Sequence, residues 1–243
     1  MNAPSTFRTR VLPAAAAAAM VAALAAGAWY GYDYAITQPV RHVLFVGDTA
    51  RIPRADLEAF AQGVQDASPG ASLASVREAA RRIPWVRDAS VRRKFPDAIE
   101  VQFETHEPLA RWADGGLVST RGDLFNAEHA AFLPLFRGPE SAAPLMAQAY
   151  PALARAATPL AAALLEVRVS PRGAWQLLLD SGLVLELGRE DIVPRLQRFA
   201  AAYPRLPAGA LDGKHADLRY NNGFAMKTSN AAAAVAPQKG KRK

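Results

Sequence analysis

The 243-residue sequence contains no cysteine. That excludes a disulfide framework, a thiolate metal site and a cysteine nucleophile. Histidine is scarce: His42, His106, His129 and His215 lie far apart, and no HExxH or other close ligand pair occurs. There is no glycine-rich P-loop and no GxSxG elbow. Glu186, Glu190 and Asp191 are close in sequence but straddle a predicted turn, and charge complementarity at a helix N-terminus accounts for the last two. With no clustered acid, base or nucleophile, the sequence predicts a non-enzymatic protein with no metal, no cofactor and no small-molecule substrate.

Acidic residues are missing from both ends. Residues 1–32 carry Arg8 and Arg10, and residues 229–243 carry Lys239, Lys241, Arg242 and Lys243, with no acid in either stretch. Removing these six cations from the total of 29 leaves 23 against all 22 acids, so the body is nearly neutral although the whole chain is +7. A nucleic-acid binder carries its basic excess in the folded module, so no nucleic-acid partner is expected. One local excess remains, from Arg81 to Lys94, with Arg81, Arg82, Arg87, Arg92, Arg93 and Lys94 against Asp88. It reads as a solvated basic face, or as a surface for an acidic partner or anionic headgroups.

Val11 to Tyr32 has no charged side chain. About 20 apolar residues cross a bilayer core as a helix, so a single transmembrane helix is expected over 11–32. It is weakly hydrophobic, since eleven of the eighteen residues from Val11 to Ala28 are alanine. Trp29, Tyr30, Tyr32 and Tyr34 crowd its C-terminal end, where amphipathic rings suit the interface. Arg8 and Arg10 precede it, which keeps residues 1–10 in the cytoplasm and exports the rest. Ala26-Gly27-Ala28 also fits a signal-peptide cleavage pattern; on either reading the body is exported.

The exported body begins with a short strand, Val40 to Gly47. Pro53 sits where a helix begins, with Leu57, Phe60, Ala61 and Val64 at helical spacing. Ser68-Pro69-Gly70 breaks it, and Ser72 is placed to cap a second helix that Pro84 ends. Trp85 to Phe95 and Ile99 to Glu104 read as strands, the second alternating Ile99, Val101 and Phe103 with Glu100, Gln102 and Glu104. From Leu109 onward the pattern is hairpins, with turns at Asp114-Gly115-Gly116, Arg121-Gly122-Asp123 and Asp180-Ser181-Gly182. Leu145 to Ala157 and Pro159 to Leu165 read as alanine-rich helix broken by Pro151 and Pro159, and Glu190 to Tyr203 as an amphipathic helix. A last strand is expected over Ala216 to Lys227, and residues 229–243 read as a disordered basic tail.

Several of these residues fall in a recognisable order: Val43 to Gly47, Pro84-Trp85-Val86, Ala89, Val91, Arg93, Phe95-Pro96, Ile99, Val101, Glu107-Pro108, Ala110 and Trp112. This resembles a POTRA domain in its FtsQ/DivIB form. Downstream, Gly122, Leu124-Phe125, Trp175, Leu187-Gly188-Arg189, Arg195-Leu196, Phe199, Asp217-Leu218-Arg219-Tyr220, Asn222-Gly223 and Ala225 resemble the FtsQ β-domain. The resemblance runs from Val11 to Met226. It implies an α+β architecture: an N-terminal transmembrane helix, a small β-α-α-β-β POTRA domain over 40–108, and a larger, mostly antiparallel β-domain with flanking helices over 109–228.

The resemblance further implies a bacterial divisome scaffold, single-pass in the inner membrane at the division septum. Its periplasmic part would hold FtsB and FtsL, the FtsB segment adding a strand to the edge formed by the last β-strand, and would link early and late division proteins. The POTRA domain would recruit further divisome proteins. The partner-binding residues it implies are Arg172, Arg219, Tyr220, Asn222 and Gly223. From the residues alone, Arg219 could equally pair with Asp217 or Glu186, Tyr220 could cover the core edge, and Asn222-Gly223 could be a plain turn. After Met226 the family's small-aromatic-Pro continuation is replaced by Lys227-Thr228-Ser229. The rival is a POTRA-bearing component of envelope protein assembly or secretion; it calls for several POTRA repeats or a barrel-length strand series, and neither is visible.

Overall fold

The computed structural model describes residues 8–37, 39–67, 72–206, 215–220 and 223–226. Asn222, the Ser68-Pro69-Gly70 break and the basic tail 229–243 lie outside them. The chain divides into two compact units, Met1–Thr105 and His106–Lys243.

The N-terminal unit opens with helix α1 (Arg8–Thr37). Its apolar residues lie on all sides, and every described side chain from residue 16 to 34 is exposed, Met20, Leu24, Trp29 and Tyr30 among them. Among the described residues no helix is long and apolar enough to cross a membrane. The side chains of Val11 and Leu12, which belong to the uncharged run, are outside the described set.

The elements that follow α1 are β1 (His42–Val46), α2 (Arg54–Asp66), α3 (Leu73–Arg81), β2 (Val86–Lys94) and β3 (Ala98–Thr105). The sheet order is β1-β3-β2, with β1 parallel and β2 antiparallel to β3. Pro53, which has no N–H to leave unpaired, occupies the cap position of α2. Ser72 caps α3 as expected, its hydroxyl accepting from the Ser75 N–H at 3.1 Å. One face of the sheet is covered by the two helices: Phe45, Phe60 and Phe103 meet at centroid distances of 5.7–6.2 Å, beside buried Val64, Val76, Ile99 and Val101. The other face carries polar cross-strand pairs. Arg92 (2.7 Å) and Lys94 (2.9 Å) both reach the Glu100 carboxylate, and Lys94 together with Arg92 holds it below the usual glutamate range.

The C-terminal unit contains β4 (Pro108–Trp112), β5 (Leu117–Ser119), β6 (Leu124–Phe125), β7 (Leu135–Arg137), α4 (Ala143–Ala157), β8 (Leu164–Val169), β9 (Trp175–Leu179), β10 (Val184–Gly188), α5 (Ile192–Ala202), β11 (His215–Asp217) and β12 (Ala225–Met226). Among the described residues these strands form one nine-stranded sheet in the order β12-β11-β10-β9-β8-β7-β4-β5-β6. Five of its pairings are antiparallel and three parallel. Alternate strand residues (Phe136, Val167, Leu177, Leu185, Leu187) are buried with Met146 and Leu153 of α4 and Leu196 and Phe199 of α5. Their neighbours Arg137, Glu166, Arg168, Gln176, Glu186 and Asp217 form the polar opposite face.

The expected hairpin at Asp114-Gly115-Gly116 joins β4 to β5. Gly116, at φ +81°, is obligatory there, because a Cβ would lie 2.8 Å from the Phe125 carbonyl oxygen. Three expectations are corrected. α4 runs unbroken through Pro151, because Met146, Ala147 and Leu153 are each at most 2% exposed and their burial outweighs one lost helix hydrogen bond. Pro159 to Leu165 is not helix but a single 3-10 turn, Thr158–Leu160, followed by β8. The expected last strand over Ala216 to Lys227 is two short strands, β11 and β12, antiparallel to each other.

Candidate partner-binding edge

The edge is built from β10 outward. β11 lies parallel to β10 in the register Val184↔His215, Leu185↔Ala216, Glu186↔Asp217, and the Leu218 N–H continues the ladder to the Glu186 carbonyl at 2.8 Å. Leu218 is 2% exposed, which ends the inward-facing series. β12 pairs back antiparallel to β11, with Asp217↔Ala225 and Ala216↔Met226. Phe224 starts β12 by packing edge-on against Phe199 of α5, with centroids 5.1 Å apart at 86°. On the far side of β12 no strand follows among the described residues. An edge strand presents backbone N–H and C=O groups to any extended segment laid beside it.

Arg219 and Tyr220 are not on the edge strand but in the β11–β12 connection. Arg219 folds back on Asp217: its Nε donates to Oδ1 at 2.8 Å and its Nη2 to Oδ2 at 2.6 Å, while its backbone N–H donates to Oδ1 at 3.0 Å. These bonds hold the Asp217 carboxyl below the usual aspartate range and raise the guanidinium further. Asp217 is nearly enclosed, at 15% side-chain exposure, whereas Arg219 keeps 63%. The internal pairing with Asp217 is therefore real, and it leaves the guanidinium facing solvent. Tyr220 is 57% exposed and does not cover the core. Gly223 has open space where a Cβ would stand, so packing does not demand glycine there.

Arg172 lies in the β8–β9 turn Pro171-Arg172-Gly173, exposed and with no ion-pair partner among the described residues. The register Val169↔Trp175, Trp175↔Gly188 and Glu186↔Asp217 carries that turn to the same end of the sheet as Arg219, Tyr220 and Gly223. With strands about 4.8 Å apart, the turn stands roughly 12 Å from the end of β11. Residues 47 positions apart in sequence thus share one rim.

Two residues that hold this rim were not singled out from sequence as site residues. Gly188 ends β10 at φ +79°, and the stem of Arg219 lies over it, Cγ 3.2 Å from where a Cβ would be. Arg195 of α5 reaches past the same glycine to donate to the Leu187 carbonyl at 2.7 Å. The available signal was a glycine closing the mostly apolar run Leu183 to Leu187. Beside them, Glu186 accepts from Gln176 Nε2 at 2.5 Å and lies 3.6 Å from His215 Nε2. No group of three His, Cys, Asp or Glu able to hold a metal occurs among the described residues.

Residues 110–219 match the family described as Cell division protein FtsQ/DivIB, C-terminal. Residues 38–104 match the POTRA domain, FtsQ-type. The chain is similar to the protein named Cell division protein FtsQ from Burkholderia pseudomallei, with 41% identity over 174 residues, 68% of this chain and 70% of that protein. It is also similar to the proteins of that name from Nitrosospira multiformis, at 37% over 157 residues (64% and 66% of the two chains), and Xanthomonas campestris, at 31% over 230 residues (89% and 80%).

Proposed function

The chain belongs to the FtsQ/DivIB family of cell division proteins, and on that premise we propose that it is a non-enzymatic divisome scaffold that captures a partner strand. The partner is the periplasmic part of FtsB, held together with FtsL. The observation that carries this reading is the placement of β12 at the end of the nine-stranded sheet, two residues long and flanked by an exposed arginine and tyrosine. The added segment would run beside Ala225 and Met226. Its main-chain groups would complete the edge, and its side chains would meet Arg172, Arg219 and Tyr220 at the rim. Arginine suits the task because its forked donors recognise a carboxylate in two places, and tyrosine is a frequent interface anchor. Asn222 and Gly223 belong to the same proposed contact.

The domain limits follow as part of the proposal: POTRA over 40–108, β-domain over 109–228. We also read α1 as the membrane anchor. Supporting this are the 22 residues without charge from Val11 to Tyr32 and the absence of any polar face on α1. A helix apolar on every side needs an apolar environment on every side. The aromatic cluster at its end and the preceding arginines set an N-in orientation, with the two units in the periplasm and the protein at the septum.

The test is co-purification of the FtsB/FtsL periplasmic segments by the full chain carrying Tyr220→Ala or Arg172→Glu. Loss of an anchoring tyrosine costs on the order of 2 kcal/mol, about thirtyfold in affinity. Unchanged capture by both variants would remove the site assignment.

A further inference from the structure

The basic stretch Arg81–Lys94 is only partly used inside the N-terminal unit. Asp88 takes Arg77 at 2.7 Å and Arg81 at 3.9 Å, and Glu100 takes Arg92 and Lys94. Arg93 and Arg41 have no ion-pair partner among the described residues, and the residue after Lys94, Phe95, is 60% exposed at the tip of the β2–β3 hairpin. Register brings these groups to one end of the sheet, since His42 pairs with Ala98 and Ala98 with Lys94. The contact is direct: the Arg41 N–H donates to the Asp97 carbonyl at 2.8 Å. Leu73, 38% exposed at the start of α3, lines the α3–β2 groove with Val91 and so adds apolar surface towards this end. The carboxylates here are Asp66, Asp97 and Glu100. Asp66 accepts from Gln62 at 2.8 Å, and Glu100 is already matched by two cations.

This is also the end at which the chain arrives from α1. Four residue steps separate Thr37 from Arg41, roughly 14 Å at full extension. Residues 33–37 continue α1 beyond Tyr32 by about 7.5 Å, close to the ~5–7 Å depth of a headgroup layer. If α1 spans the bilayer, Arg41 and the neighbouring hairpin tip cannot stand far from the lipid surface. The tether makes the effective concentration of that surface high, so a small patch is enough to engage it.

We propose that this end of the N-terminal unit rests on the outer surface of the same bilayer. Phe95 enters the interface, and Arg41 and Arg93 meet the phosphates of anionic phospholipids. The contact rests on the membrane-anchor reading of α1, and it gives the unit a fixed attitude to the membrane instead of leaving it free on its linker.

The absence of native cysteine allows a direct test in the full chain. Single variants Phe95→Cys, Pro84→Cys at the opposite end of β2, and Leu24→Cys in α1 are spin-labelled and reconstituted in vesicles of phosphatidylcholine with one-quarter phosphatidylglycerol. Collision with oxygen reports immersion, and collision with a water-soluble nickel chelate reports exposure. The expected result is immersion at 24 and 95, water at 84, and a shift of position 95 towards water when Arg93→Glu is added or phosphatidylglycerol is omitted. A label at 95 as aqueous as that at 84, with 24 immersed, overturns the proposal and leaves the anchor intact. An aqueous label at 24 overturns the anchor reading and the proposal with it. Brominated-lipid quenching of Phe95→Trp above the background of the native tryptophans gives a second readout. Immobilisation of 95 only on adding the FtsB/FtsL segments assigns the tip to protein contact and also overturns the proposal.

Discussion

Arg219 grips Asp217 through two guanidinium nitrogens, Nε at 2.8 Å and Nη2 at 2.6 Å, while more than half of its own side chain stays in solvent. The carboxylate fixes the plane of a cation that still faces outward. On the proposed binding mode, an arriving acidic side chain would meet a guanidinium already ordered, and less rotamer entropy would be lost.

Asp217→Asn tests this pair. The folded carboxyl titrates below its ordinary value near 3.9, so the pair contributes stability above that pH and loses it as pH falls through the lower, folded value. Denaturant melts of both chains should differ by about 0.5–1 kcal/mol from pH 5 to 8, the scale of a partly exposed pair. The gap should close below about pH 4. Partner affinity should fall with it, because Arg219 is released.

Phe224→Ala tests what positions the edge. This two-residue strand is held by its pairing with β11, by Met226 against the core and by the contact between Phe224 and Phe199. Truncation should cost about 1–3 kcal/mol and lower partner affinity by more than the stability loss accounts for, since the template for strand addition is loosened. Phe224→Leu should restore most of both. Isothermal titration beside thermal unfolding separates the two effects.

Much of the fold could be read from local pattern. Ser72 as a cap, the glycine turns at 114–116 and 180–182, and the alternation of Ile99, Val101 and Phe103 each act within a few residues, and each stands where expected. What failed was set from a distance. Pro151 reads as a helix breaker until Leu153 and Met146 are buried against the sheet. The break between β11 and β12 leaves no periodic trace, because it depends on Leu218 reaching the Glu186 carbonyl and on Phe224 finding Phe199. The resemblance supplied Arg172 and Arg219 as separate residues. Their common rim follows from strand order, in which a parallel β10–β11 pair brings a C-terminal strand end beside an upstream hairpin.

Proline substitution tests the edge itself. In an antiparallel ladder successive residues point their N–H alternately towards the partner and away, so of Ala225 and Met226 one faces β11 and the other faces outward. Proline at the inward position should detach β12. Proline at the outward position should keep the fold and abolish capture of the FtsB segment, since it removes the donor an added strand needs. Circular dichroism identifies which variant is which, and co-purification reads the outcome.

Strand addition makes a sharper demand on geometry than on affinity. Cross-strand neighbours sit about 4.5–5.5 Å apart at Cα, within the 4.4–6.8 Å that a disulfide spans. The decisive measurement is therefore a disulfide scan in the otherwise cysteine-free chain, with Ala225→Cys or Met226→Cys placed against single cysteines walked along the FtsB periplasmic segment. Strand addition at β12 predicts cross-links at one register, fading with a period of two residues on either side. Cross-links with a period of three to four, or none at a concentration where the complex forms, would contradict it.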